Sequence, residues 1–177
     1  MAYHKLSSMV RTASGRPPVL LDESMARPVS GVREAVRAMR RAVARAREAA
    51  GFVPARDLKG IERIVVARGQ ESPELRGGEL VVGPDVSPEP LLRLFGRLAH
   101  DRLPSGDAEK WVAAFQRDEN RGKRVVVASD ASDRFVEAYV TFHLRPRVLR
   151  TESPAMFRFF EGAYGKREDQ LWGFVGG

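Results

Sequence analysis

The chain has 177 residues, 43% of them hydrophobic, and a mean hydropathy of −0.33. That is enough for one domain with a real core, and no apolar run approaches the roughly 20 residues of a membrane-spanning helix. Cysteine is absent, which excludes disulfides, thiolate metal sites and a cysteine nucleophile and fits a cytoplasmic location. The net charge of +7 is confined to the N-terminal third: residues 1–60 hold 12 Lys+Arg against 5 Asp+Glu, and residues 61–177 hold 18 of each. Arginine outnumbers lysine 25 to 5, a bias that a GC-rich bacterial genome produces unaided, so it carries little weight for nucleic-acid binding.

Residues 1–14 contain no apolar h-region, so no secretory signal is expected. Pro17, Pro18 and Pro28, with scattered Ser and Gly, predict an irregular arm over 1–29 that docks through Val19, Leu20 and Leu21. Ser30 is a candidate N-cap. Beyond it Val32, Val36, Met39 and Val43 recur at i, i+4, i+7 and i+11, widened by Ala35, Ala42 and Ala46. They predict an amphipathic helix to about residue 50, ended by Gly51. Its outer face carries Arg33, Arg37, Arg40, Arg41, Arg45 and Arg47.

Two strands are expected next, at 61–67 (IERIVVA) and 79–82 (ELVV), with a turn at Gly77 and Gly78 between them. Ser87, Pro88 and Pro90 open a helix running through 91–103 (LLRLFGRLAHDRL) to Pro104. Asp107 is expected to cap a helix through Trp111, Val112 and Phe115. Residues 124–128 (RVVVA) look strand-like. Ser129 or Asp130 is placed as the cap of a helix over 133–144. Ser153 and Pro154 open a last helix bearing Met156, Phe157, Phe159, Phe160 and Tyr164, most of which are expected in the core. There is no internal repeat. The order implies an α+β fold, mostly helical with a small β-sheet.

The segment 130–164 is the most informative. Asp133, Phe135, Glu137, Ala138 and Tyr139 lie on one helix, Pro146 follows in a turn, and Ser153, Pro154, Met156 and Phe160 open the next helix. This pattern resembles the region after the zinc helix in the anthrax lethal factor-like metallopeptidases and related zincin-like domains, over roughly residues 60–165. The resemblance implies a single zincin-like domain at 30–177. The family's zinc helix carries His-Glu-x-x-His, because two imidazoles one helical turn apart ligate one metal and the Glu deprotonates its water. If His100 is matched to the second His, the first falls on Gly96 and the Glu on Arg97. Asp133 then takes the third-ligand position, Glu137 an outer-sphere position, and Val126 the place of an assisting tyrosine. A catalytic zinc needs three protein ligands and a water, and only His100 and Asp133 remain.

The expectation is therefore a pseudopeptidase: no catalytic residue, no bound metal, no cofactor, and Gly96, Arg97, His100, Asp133 and Glu137 as the remnant of a metal site. His100 is expected to be buried and bonded to Asp133 or Arg97. His143, ten residues beyond Asp133, is read as a half-exposed histidine at a helix C-terminus, and His4 as a bystander in the arm. The partner is expected to be a protein or peptide, of acidic character, received beside an edge strand at 79–82. Arg37, Arg40, Arg41 and Arg45 are candidate partner-binding residues. Two other readings compete: a zinc-dependent hydrolase with a rearranged site around His100 and Asp133, and a nucleic-acid-associated protein using the Arg-rich helix 32–49. The latter is disfavoured because Glu34 and Glu48 interrupt that face and no aromatic residue lies on it. No membrane association is expected.

Overall fold

The first unit of the chain is built on four short strands with one long helix laid against them. The computed structural model describes residues 16–26, 32–119 and 131–165. The chain divides into two compact units, residues 1–91 and 92–177, and the whole is mixed α+β. In the first unit β1 (Val19–Leu21) is followed by a 3-10 turn (Glu23–Ala26), α1 (Val32–Gly51), β2 (Arg63–Val66), β3 (Glu74–Arg76) and β4 (Glu79–Val82). Then α2 (Pro88–Asp101) begins at the end of the first unit and continues into the second. There α3 (Ser105–Glu119), α4 (Ala131–Leu144), α5 (Pro146–Glu152) and α6 (Pro154–Tyr164) follow. Among the described residues no helix is long and apolar enough to cross a membrane.

The four strands form one sheet in the order β1-β2-β4-β3. β1 and β2 run parallel, as do β2 and β4, while β3 pairs antiparallel with β4. Registers place Val19, Ile64, Leu80 and Leu75 side by side, and Leu21, Val66 and Val82 two residues further on. Because strand side chains alternate, these share one apolar face. Arg63 and Glu79 are register partners on the other and form an ion pair. Helix α1 packs on β1 and β2.

Three features of this unit depart from the sequence expectation. Residues 19–21, read as part of an irregular arm, make a strand. Leu75 and its neighbours also make a strand, β3, and Gly77 and Gly78, with φ of 51° and 85°, form the tight turn to β4. Positive φ at both central residues suits a two-residue hairpin and costs glycine little. As a result β4 is an inner strand, flanked by β2 and β3, and the edge expected at 79–82 is already occupied.

The third departure concerns the buried stripe of α1. The valines were expected to face inward. Ala42 and Ala46, expected on the inward stripe, are buried together with Ala49 and Ala50, but Met39 and Val43 are only half-buried and Val36 is 41% exposed. Alanines let a helix backbone approach a sheet closely, so the inward face is the one with the smallest side chains. Ser30, the proposed cap of this helix, lies outside the described residues.

The second unit has an aromatic core. Trp111, Phe135, Tyr139, Phe142 and Phe160 are each at most 1% exposed, and their rings meet edge-on, tilted or offset at centroid distances of 5.1 to 6.3 Å. Such geometry adds to the burial of ring area. The Trp111 indole N–H donates to the Ala131 carbonyl at 3.0 Å, tying α3 to the start of α4. Phe157 is buried, with the Arg150 guanidinium 4.6 Å from its ring centre. Met156 is buried as well, while Phe159 and Tyr164 keep some exposure.

Helix starts here differ from the sequence reading. α3 begins at Ser105, so Asp107 lies in its first turn and does not precede it. Its carboxylate accepts from Lys110 at 2.8 Å. Residues 146–152, read as a turn, form the helix α5, with Pro146 in its first turn where proline is tolerated. The strand-like residues 124–128, Val126 among them, and the caps Ser129 and Asp130 lie outside the described residues.

Candidate functional site

The residues picked out by the metallopeptidase resemblance come from α2 and α4. On a helix of about 3.6 residues per turn, Arg93, Gly96 and His100 share one stripe of α2. Each of them meets α4. Arg93 forms a two-pronged ion pair with Glu137. The His100 ring lies edge-on to Phe135 at 5.3 Å. Gly96 lies under Tyr139: a Cβ at this position would be 3.2 Å from the Tyr139 ring, closer than side chains normally pack. Tyr139 is itself fully buried, held by Phe135, His143, Phe160 and Tyr164. Glycine at 96 is thus what lets α2 approach this ring.

The remaining residues of the candidate site do not converge. His100 is half-buried, and the nearest acid to its Nδ1 is the adjacent Asp101 at 3.7 Å. The expected bond from His100 to Asp133 or Arg97 is absent among the described residues. Arg97 and Asp133 are both exposed, and no ion pair joins them. Glu137 points its carboxylate to Arg93. Among the described residues no group of three or more His, Asp or Glu side chains is arranged to hold a metal ion.

His143 overturns its sequence reading. It is fully buried, packed between Tyr139 at 4.4 Å, Phe142 at 5.1 Å and Tyr164 at 5.3 Å. Its ring is part of the aromatic core. The reason is helical phase: His143 follows Tyr139 by one turn and therefore lies on the same inward stripe.

One buried structural carboxylate escaped the sequence reading. Asp118, buried at 7% exposure near the end of α3, accepts the amide of Ala155 at 2.9 and 3.1 Å and that of Met156 at 2.8 Å. It caps α6 from another helix, while Ser153, the expected cap, makes no side-chain capping bond. Charge-assisted bonds to the unsatisfied amides of a helix N-terminus are among the stronger ones.

In the first unit, the Arg45 guanidinium is taken up by an ion pair with Asp85. Arg37, Arg40, Arg41 and Arg47 are exposed, and among the described residues none of them enters an ion pair. A cavity of about 460 Å³ lies at the carboxyl ends of β2 and β4, lined by Gln70, Glu71, Gly83, Asp85 and three prolines. Its backbone is tightly apposed, since a Cβ on Gly83 would come within 2.4 Å of the Gln70 carbonyl oxygen. Its lining contains no histidine, and it has none of the residues the resemblance selects.

Compared with protein-family models, with curated proteins and with solved structures, the chain matches none.

Proposed function

We propose that this protein is a non-catalytic binding module, a zincin-like pseudopeptidase that keeps the helices of a metallopeptidase site and has exchanged its metal for packing. The observation that carries the reading is the contact of α2 with α4. The stripe bearing Gly96 and His100, one helical turn apart, is directed at the helix that carries Asp133 and Glu137, as a zinc helix would be. In place of a metal it meets the rings of Tyr139 and Phe135, and Glu137 is engaged by Arg93. A first histidine ligand at position 96 would collide with Tyr139, and Arg97 stands where the general base would be needed. A domain in this condition is retained for what its surface binds, and the basic N-terminal third fits an acidic protein or peptide partner.

The test is zinc content. The purified chain, incubated with zinc and desalted, is expected to carry none by elemental analysis, as is its His100→Ala variant. One zinc per chain, lost in that variant, would refute the reading and make the protein a hydrolase with a rearranged site.

A further inference from the structure

Helix α1 presents an unusual outer row. At about 3.6 residues per turn, Val36, Arg40, Val43 and Arg47 follow one another at i, i+4, i+7 and i+11 along a single line of the surface, with Arg37 and Arg41 beside it. Val36 is 41% exposed, Val43 is half-buried, and both arginines are exposed. The row is about 16 Å long at about 1.5 Å per residue. It alternates apolar and cationic side chains and borders the buried face of the helix, which is formed by Ala42, Ala46, Ala49 and Ala50. Packing of the first unit takes up the alanines and part of Val43, and leaves Val36, Arg40 and Arg47 exposed.

We propose that this row docks an acidic amphipathic helix of a protein partner, some three turns long, with carboxylates opposite Arg40 and Arg47 and apolar side chains over Val36 and Val43. Charge complementarity selects an acidic partner, since Arg37, Arg40, Arg41 and Arg47 have no ion pair among the described residues, while Arg45 is already neutralised by Asp85. The valines select a protein over a nucleic acid. A phosphate backbone gains nothing from apolar side chains set between the cations, and α1 offers no aromatic ring on which a base could stack. Helix against helix with apolar anchors at i, i+3, i+4 and i+7 is an established recognition mode, and the arginines would act chiefly on the encounter rate. The inference does not rest on the pseudopeptidase reading, because it concerns α1 and not the residues of α2 and α4.

The experiment is fluorescence anisotropy on the intact chain with a labelled synthetic peptide of about five helical turns, leucine on one face and glutamate elsewhere. The comparison ligands are a peptide of the same composition with the leucines scattered, and a short DNA duplex. The amphipathic peptide should bind at least about tenfold more tightly than the scattered one, a difference of about 1.4 kcal/mol. Arg40→Glu with Arg47→Glu should abolish binding, Arg40→Lys with Arg47→Lys should retain most of it, and Val36→Ser should weaken it severalfold. Circular dichroism establishes that each variant is folded. Equal binding of the two peptides, no binding of either, or tighter binding of the DNA would overturn the proposal, the last in favour of a nucleic-acid surface.

Discussion

Helices α1 and α4 differ in what they bury. α4 buries Phe135, Val136, Ala138, Tyr139, Val140, Phe142 and His143, so nearly everything bulky on it faces inward. α1 buries alanines and leaves Val36, Met39 and Val43 at least partly in solvent. The difference shows what each helix packs against. A sheet approached closely takes the small side chains of α1, whereas α4 lies among other helices whose rings fill the space between backbones. Substitutions on α4 should therefore be felt in stability, and substitutions on the outer row of α1 in binding.

The largest loss is expected at the centre of the aromatic core. Tyr139→Ala removes a fully buried ring that touches Phe135, His143, Phe160 and Tyr164, and should destabilise the protein by about 3–5 kcal/mol in urea unfolding. Asp118→Ala comes next. It strips α6 of its cap and leaves the Ala155 and Met156 amides without their acceptor, for a loss of about 2 kcal/mol. Asp118→Asn should recover part of that, because the amide oxygen still accepts.

Gly96→Ala is a finer test. Alanine gains about 1 kcal/mol of helix propensity, but its methyl group meets a Tyr139 ring that its neighbours hold in place, and overpacking costs about 1–3 kcal/mol. The net result should be destabilising by about 1 kcal/mol, and a stabilised Gly96→Ala would show that α2 does not rest on that ring. The smallest effect belongs to α1: Arg40→Glu and Arg47→Glu, at exposed positions without ion pairs among the described residues, should each change stability by less than about 0.5 kcal/mol. A larger loss there would erase the contrast between the two helices.

Much of the element order was legible because periodicity survives without tertiary context. The valine-rich strand at 79–82, the helix opened by Pro154 and the start of α2 at Pro88 all carried local signals that packing did not override. β3 was not legible from Glu74, Leu75 and Arg76, whose composition does not speak for a strand. Gly77 and Gly78 held the missing signal, since paired glycines that close a hairpin imply a strand on both sides. On α1 the expectation placed Ala42 and Ala46 inward correctly but centred the stripe on Val36, Met39 and Val43, because it weighed hydrophobicity and not the distance to the sheet. His143 was misjudged because its place at a helix end was weighed above its phase, one turn beyond Tyr139. Asp118 could not be read as a cap at all: its partner amides are 37 and 38 residues away, and nothing in the local sequence records that.

The most direct test of this division of labour is hydrogen–deuterium exchange on the intact chain, with and without the amphipathic acidic peptide. The account predicts slowed exchange concentrated in residues 32–51, with α2 and α4 unchanged. Slowing concentrated in 92–101 and 131–144 would contradict it, placing the interaction at the helices that resemble a peptidase site and leaving the valine–arginine row of α1 without a role.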